Sequence, residues 1–466
     1  MRASYEERVT HVVVGAGFQG LPIVKKLRDL GEEVLCLDRN PDVGGIWHTG
    51  AYETAHIISS RFSTGFTDFP MPESFPDFPS KAEMQRYFRS YAEHFGLLEH
   101  IRLNTEVLRV SPLPANGVDE PRWRTECAGG RVVFSHTVTI ANGHHTEPLT
   151  ADYPGTFAGQ MTGSSEYRTP DLFEGKRVLV VGSGNTACDA AVDASLHGLS
   201  ADISIRDGVY SFPRTFMGKP FDTLMRSLPI KAEWLERLVG WVVHKAAVGD
   251  PRHYGMPKPQ FRIFDQHPVI NSELLRRIKL GEVGVRPEIE RFDGHRVVFK
   301  DGSSREYDMV FWAIGYRIGF PLLRPEDQLL DWDGRLPVMF LQLASPKHRG
   351  LFIAGLGQAR TGGGPLFELG GYLTARMATF DARQGQSVTA AIAAHPEIRF
   401  AQRWLGLKLV DKADMRSRSL QEHTKAGAGL ARVLDAIGAS DAPRRVGVSQ
   451  AISTLDLEAR ATRVAA

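Results

Sequence analysis

Two glycine clusters have the spacing with which backbone amides bind phosphate. Gly15-Ala16-Gly17-Phe18-Gln19-Gly20 closes a β-branched run, Val9 to Val14, and leads into Leu21, Ile23, Val24, Leu27 and Leu30 at helical spacing. Gly182-Ser183-Gly184-Asn185-Thr186-Ala187 closes the apolar run Arg177 to Val181 and opens a helix of small residues. In each cluster the first glycine permits a tight turn and the second lets the backbone approach a pyrophosphate. The third position, Gly20 or Ala187, lets the helix lie close on the strand. The helix N-terminus then offers N–H groups and a positive dipole end to the phosphates. Two such turns in one chain point to two dinucleotides and to electron traffic between them.

The residue that closes the next strand distinguishes the two units. Val34 to Leu37 ends in Asp38, followed by Arg39, and a carboxylate there accepts hydrogen bonds from a ribose diol. Ala201 to Ile205 ends in Arg206, with Arg214 close behind, and a guanidinium grips a 2′-phosphate bidentately. The second unit is therefore expected to bind NADPH; a solvated surface Arg206 is the competing reading. Gly44-Gly45-Ile46-Trp47, just after the acid, suggests backbone lying flat against a planar flavin beside an aromatic wall.

Other chemistries find less support. His144-His145 lacks a third ligand at metal spacing. Cys36, Cys127 and Cys188 are isolated, so no CxxC dithiol or zinc knuckle is formed, which disfavours a disulfide reductase. A net charge of +2 gives no reason to expect nucleic acid or a charged membrane surface as partner. No apolar run reaches the roughly 18 residues of a membrane span, and the N-terminus has no signal-peptide core. A reducing, cytoplasmic setting is expected.

The 466 residues suffice for two or three domains. Tyr52 to Pro79 reads as aromatic, proline-rich loop. Lys81 to Phe95 reads as a helix with Met84, Tyr87, Phe88 and Tyr91 inward, and Ile101–Val110, Arg122–Glu126 and Arg131–Ile140 as a small β unit. Leu224 to Ala247 is expected to be one helix with Leu235, Leu238, Val242 and Val243 in the core. Glu273–Ile278 reads as a helix, and Val283–Val285, Arg296–Phe299 and Met309–Trp312 as strands, the last running into Ala313-Ile314-Gly315-Tyr316. A strand and turn, Leu351–Gly355, precede Gly362-Gly363-Gly364, whose amides could approach a cofactor, and a helix from about 366 to 381. The segment beyond Lys425 reads as a peripheral helix or tail.

In combination these motifs resemble the flavin-containing monooxygenases. The resemblance rests on the two glycine turns, Gly44-Gly45-Ile46-Trp47, Asp68-Phe69-Pro70-Met71-Pro72 and Ala313-Ile314-Gly315-Tyr316, and extends to about residue 385. It implies an α/β protein with two Rossmann-like domains, an NADPH domain (161–309) inserted into an FAD domain (1–160 and 310–466). It also implies a reaction in which NADPH reduces FAD and one atom of O2 enters a small-molecule substrate. Gly15, Gly17, Phe18, Gln19, Gly20, Asp38, Arg39, Gly45, Ile46 and Trp47 are then expected at FAD. Gly182, Gly184, Asn185, Thr186, Ala187, Arg206 and Arg214 are expected at NADPH, and Ala313, Gly315 and Tyr316 where the chain returns to the cofactors.

Two positions depart from the family pattern. In the family's FxGxxxH fingerprint Phe157 and Gly159 match, but Gly163 replaces the histidine. Ile58 stands where members that oxygenate nitrogen or sulfur have asparagine. Oxygenation of a nitrogen or sulfur atom is the leading expectation. An NADPH oxidase or flavin reductase releasing hydrogen peroxide, a Baeyer–Villiger ketone monooxygenase and a nucleotide-binding sensor without turnover stay open. Tyr167-Arg168, where the ketone-oxidising fingerprint ends in Trp-Pro or Trp-Asp, leans away from the Baeyer–Villiger branch. Catalytic side chains are not named by these motifs, and monomer and homo-oligomer are equally compatible with them.

Overall fold

A computed structural model describes residues 5–115, 117–227, 232–414, 417–418, 420–439 and 441. The chain opens with β1 (Tyr5–Val14), α1 (Gly20–Asp29) and β2 (Val34–Leu37), and continues through α2 (Lys81–His94), β3 (Ile101–Arg102), β4 (Val107–Pro112), β5 (Trp123–Cys127) and β6 (Arg131–Ile140). These strands form one sheet in the order β3-β2-β1-β6-β5-β4. β1 is parallel to both β2 and β6, with Val14 level with Leu37 and Ile140. The far edge of β6 is shared. Its first half pairs antiparallel with β5, and its last residues pair parallel with Leu351–Ile353. The small β unit expected from Ile101 to Ile140 is present as strands that belong to the first sheet. A local pattern of strands says nothing about which sheet edge they join.

A second sheet is built from β7 (Gln160–Gly163), β8 (Arg177–Val181), β9 (Ser200–Ser204), β10 (Val283–Arg286) and β11 (Met309–Trp312), in the order β10-β9-β8-β11-β7, all parallel. α3 (Asn185–His197) follows β8. The buried strand residues Val178 to Val181 and Met309 to Trp312 form unbroken apolar runs, as expected of a parallel sheet covered on both faces. In both sheets the carboxyl ends of the central strands finish level, which places the turns after Val14 and Val181 at a strand-end crevice, where α/β sheets bind ligands.

Helices fix the remaining loops. α2 starts at a capping box: Ser80 Oγ accepts from Glu83 N–H at 3.4 Å, and Glu83 Oε2 accepts from Ser80 N–H at 2.7 Å. Its Met84, Tyr87, Phe88 and Tyr91 are buried as the spacing predicts. The stretch expected as one helix from 224 to 247 is instead two, Phe221–Ser227 and α4 (Glu233–Ala247), and residues 228–231 lie outside the described residues. Val243 is buried, but Leu238 and Val242 face outward. After Leu351–Ile353 comes α5 (Gly364–Arg383), which lies so close on α1 that a Cβ at Gly371 would sit 2.8 Å from Pro22 Cβ. Then follow α6 (Pro396–Leu405) and α7 (Leu420–Ala436). α7 is not peripheral. Buried Arg376 of α5 donates to Tyr372 Oη at 2.9 Å and to the Ala439 carbonyl at 3.1 Å, and pairs with Asp435, while Val433 and Leu434 are buried. Of the segment expected beyond Lys425 as a peripheral helix or tail, residues 442–466 lie outside the described residues.

Candidate functional site: two glycine turns and the seam between them

The two turns repeat one construction. Gly15 N–H donates to Leu37 O at 2.9 Å, and Ala141 N–H donates to Val14 O at 2.8 Å. Gly15 has φ +107°, and a Cβ on it would lie 2.5 Å from Ala141 O. In the second turn Gly182 N–H donates to Ser204 O at 3.1 Å, and Ala313 N–H donates to Val181 O at 2.9 Å. Gly182 has φ +136°, and its Cβ would lie 2.3 Å from Ala313 O. Each turn therefore needs glycine for its left-handed backbone and for the passing chain. The structure places Ala313 against the second turn. Ala141 plays the same part in the first unit and was not singled out; its signal was a strand ending in a small residue.

Their surroundings differ. In the first turn Ala16 N–H donates to Asp38 Oδ2 at 2.7 Å, and Asn40 N–H donates to Asp38 Oδ1 at 2.8 Å. Asp38 is buried, and desolvation holds its carboxyl above the ordinary value against those donors. Gly20 lies against Gly15, where a Cβ would be 1.8 Å from the Gly15 oxygen. Gly45 lies beside Gly17, where a Cβ on Gly45 would be 3.1 Å from Gly17 Cα, and Gly44 N–H donates to Ala16 O at 2.9 Å. Phe18 packs against Phe66, Phe88 and Phe367 at centroid distances of 5.2, 5.0 and 4.6 Å. Gln19 is buried and donates to Phe367 O at 3.0 Å. Trp47 packs on the first core, whereas Ile46 and Arg39 face outward.

The second turn is open. Around Gly184 no described atom lies within 4 Å of a built Cβ. Ala187 is buried under the turn, and Thr186 is half-buried. Asn185 turns away from it, its Oδ1 accepting from Ile270 N–H at 2.9 Å. Arg206 is 68 % exposed in its side chain and pairs with the neighbouring Asp207 at 2.8 Å. Arg214 lies elsewhere, 3.9 Å from Asp189 of α3. Gly315 has φ +95°, and Tyr316 accepts at its hydroxyl from Ser164 Oγ at 2.9 Å while its ring lies 5.0 Å from that of His145. No group able to hold a metal occurs among the described residues, and His144 Nδ1 donates to Gly355 O at 3.0 Å.

A seam ties the loop after Trp47 to the second unit. Tyr52 Oη donates to Asp189 Oδ2 at 2.6 Å, and Thr54 Oγ1 donates to Asp193 Oδ2 at 2.7 Å. Tyr167 also donates to Asp193 and stacks on Tyr52 at 4.9 Å. Further along, Ser60 N–H and Oγ donate to Asp222 Oδ2 at 2.8 and 2.9 Å, and Ser63 Oγ donates to the same oxygen. These acids were missed in the sequence because a lone Asp in a helix carries no motif. The glycines at 362–364 serve this loop: a Cβ at Gly362 would be 2.2 Å from the Ser63 backbone, and one at Gly364 would be 2.1 Å from Gly65 O. Gly362 and Gly364 are close-packing positions against this loop.

The seam encloses a cavity of about 570 Å³ with its mouth included. Ile58, Phe221, Met225, Phe264 and Ile270 give it apolar walls, and Arg214, Asp222 and Arg360 add charge. Arg360 pairs with Glu236 at 2.7 Å over the Phe264 ring. Asp222 Oδ1 has no hydrogen-bond partner among the described residues. Ile58 thus lies in the cavity wall. Gly163, at the end of β7, is buried, and a Cβ there would meet nothing closer than Trp312 O at 3.8 Å.

Residues 7–362 match the family model described as flavin-binding monooxygenase-like. Flavin-containing monooxygenase 5 of Oryctolagus cuniculus is 33% identical over 338 residues, covering 67% of this chain and 62% of that protein. Flavin-containing monooxygenase 2 of Homo sapiens is 31% identical over 359 residues, covering 70% and 65%. The chain thus spans less than two thirds of the length of these relatives. Among solved structures, cyclohexanone monooxygenase in an open form superposes with a TM-score of 0.69 at 18% identity, covering 93% of this chain and 99% of that one. A flavin-containing monooxygenase from Stenotrophomonas maltophilia gives 0.57 at 22% identity, covering 83% and 100%. At these identities the structures bear on the fold alone.

Proposed function

Because the chain belongs to the flavin-binding monooxygenase-like family, we propose that it is an FAD- and NADPH-dependent monooxygenase acting on a nitrogen or sulfur atom of a small organic substrate. The observation that carries this reading is the pair of like-built turns, Gly15/Ala141 and Gly182/Ala313, joined through the Tyr52–Asp189 and Thr54–Asp193 bonds. Such a pair suits two dinucleotides that must meet. The strand order supports an NADPH domain inserted into an FAD domain, but β7 and β11 carry its sheet from Gln160 to Trp312, past the expected division into 161–309 and 1–160 with 310–466. Buried free thiols at Cys36, Cys127 and Cys188 suit a reducing, cytoplasmic setting.

The residues fit the groups they would hold. Gly15, Gly17, Gly20 and the start of α1 would take the FAD pyrophosphate, with Gly44 and Gly45 laying backbone beside it. Asp38 accepts one backbone N–H on each oxygen, from Ala16 and Asn40, and its remaining lone pairs would accept from the FAD ribose. The open space at Gly184 would admit the NADPH pyrophosphate, and Arg206 would supply a fork for the 2′-phosphate. Arg214, beside the cavity, would reach the nicotinamide end instead. Bound there, the flavin supplies hydride acceptance from NADPH and activation of O2, one atom going to substrate and the other leaving as water. The chain's part is to position and to exclude water. Tyr52 and Thr54 hold the loop after Trp47 on α3, Ser60 and Ser63 hold it on Asp222, and the apolar cavity walls keep the reacting atoms dry.

Rapid mixing of NADPH-reduced protein with O2 tests the reading. A delay before the oxidised flavin spectrum returns, shortened by an amine or sulfide that gains oxygen, supports it. Immediate return with stoichiometric hydrogen peroxide, whatever substrate is added, overturns it. That outcome is the second reading, an NADPH oxidase, and Ile58 in the cavity wall and Gly163 at the end of β7 are the residues that favour it.

A further inference from the structure

α6 and the turn after it are apolar on the outside. Ile398 is buried, whereas Phe400, Trp404 and Leu405 are 58%, 67% and 75% exposed, and Leu407 and Val410 continue the exposed patch. Gly406 ends the helix in the left-handed conformation, and residues 402–408 are all exposed, so the helix end projects from the fold. Arg399, Arg403 and Lys408 are interleaved with the apolar side chains, and Glu397 is the one acid among residues 396–408. Among the described residues neither Arg399 nor Arg403 has a carboxylate within ion-pair distance; Arg403 lies over the Trp404 ring at 5.6 Å, and Lys408 is 3.5 Å from Asp411. The chain's small net charge conceals this local concentration.

We propose that this projecting tip binds an anionic lipid surface, with Phe400, Trp404, Leu405 and Leu407 entering the headgroup–acyl boundary and Arg399, Arg403 and Lys408 meeting the lipid phosphates. Aromatic and leucine side chains beside basic residues are the pattern of helices that lie in a membrane interface, where tryptophan is favoured. The charge complementarity selects anionic over zwitterionic lipid. A second protein is a poorer fit: a stable interface uses roughly 20–30 residues on each side, whereas five apolar side chains, Phe400, Trp404, Leu405, Leu407 and Val410, are exposed here. The contact is peripheral, since no helix among the described residues is long and apolar enough to cross a membrane. It rests on the geometry of α6 and is independent of the reaction proposed above.

Flotation of the full-length, FAD-loaded protein with vesicles tests it. The protein is expected to float with phosphatidylcholine vesicles containing phosphatidylglycerol, and several-fold less with phosphatidylcholine alone or at high salt. A combined Phe400→Ser, Trp404→Ser and Leu405→Ser variant is expected to lose binding by at least about tenfold while keeping wild-type FAD content and melting temperature. Should that variant lose its flavin, Trp404→Ser alone carries the same test with a smaller loss. Arg399→Glu with Arg403→Glu is expected to abolish the preference for phosphatidylglycerol. Failure to float with either vesicle, or undiminished binding by the serine variants, overturns the proposal. So does light scattering that shows a dimer made monomeric by the serine changes, which would assign the face to a second copy. Binding that appears only after removal of residues 442–466 would assign the face to that tail and overturns it as well.

Discussion

The first glycine turn is walled in and the second is open, although both are built on the same backbone plan. Around the first, Asp38 staples Ala16 from below, Gln19 and Phe18 tie the turn to α5, and Gly45 closes one side. Around the second, among the described residues, no side chain staples the turn and Gly184 faces empty space, and Arg206 stands in solvent beside Asp207. The difference suits two unlike tenants. A flavin that stays through many turnovers gains from a site that other parts of the chain complete, whereas a coenzyme that must enter and leave on each turnover needs a site that few contacts close. The same contrast explains why the acid after β2 points inward and the arginine after β9 points outward.

The sharpest way to break this contrast is to add a methyl group at a closed position of the first turn and at an open position of the second. Gly20→Ala puts a Cβ within 1.8 Å of the Gly15 oxygen, and backbone cannot yield cheaply there. The expected result is loss of more than about 4 kcal/mol of stability and recovery of protein without FAD. Gly184→Ala has room and is expected to leave the melting temperature and FAD content unchanged. It should raise the KM for NADPH on the order of tenfold, equivalent to about 1.4 kcal/mol, by holding the pyrophosphate off the backbone. Flavin absorbance, thermal melting and steady-state kinetics on the pair decide it; equal loss of FAD in both variants would refute the assignment of the two sites. Asp38→Ala comes next. It leaves two N–H groups without their acceptor and should cost about 2–4 kcal/mol with faster FAD loss and little change in KM for NADPH.

A pH effect should also fall on the first site only. Glu368, the α5 residue next to Phe367, accepts from Thr67 N–H at 2.9 Å, and burial, then the neighbouring Asp68, pushes its carboxyl from 4.5 up to about 7. An acid with a raised folded pKa is favoured protonated in the fold. Its ionisation therefore destabilises the protein as pH rises between the two values, and stability is regained on lowering pH from about 7 towards 4.5. Melting temperature and FAD retention at pH 6 should exceed those at pH 8. In Glu368→Gln this difference should shrink, and the KM for NADPH should show no corresponding change. An unaltered pH dependence in the variant would remove Glu368 as its source.

What could be read in the sequence follows the same division. The Gly15 and Gly182 turns, β8, β11 and the inward face of α2 were legible because each rests on a local rule: turn glycine, apolar run or helical spacing. The inward packing of Asp38 was not, because its distant partner Ala16 is set by how β2 lies beside β1. The cavity acid Asp222 was invisible for a like reason, its donors Ser60 and Ser63 lying some 160 residues earlier in the chain. Helical spacing placed Leu238 and Val242 in the core, yet they face outward, because spacing identifies a stripe without saying what covers it. The glycines at 362–364 read as a possible ligand loop, and Gly362 and Gly364 also pack on the backbone of Ser63 and Gly65, which the sequence did not show because close approach to backbone and to a cofactor demand the same residue.

Arg206→Ala is the mildest change and the most specific to the open site. The side chain is mostly solvated and its one ion pair, with adjacent Asp207, is exposed, so stability should move by no more than about 0.5 kcal/mol. FAD content should not change, because nothing in the first turn touches it. The KM for NADPH should rise by a much larger factor than the KM for NADH, since only NADPH carries the 2′-phosphate that a guanidinium grips with paired hydrogen bonds. The solvent exposure that makes Arg206 worthless to the fold is what leaves its fork available to a coenzyme that comes and goes. If NADPH and NADH weaken equally, the arginine acts as a general surface charge. Arg214 cannot substitute for it in this test, because it sits against Asp189 beside the cavity, and its loss would disturb the seam as well as the coenzyme.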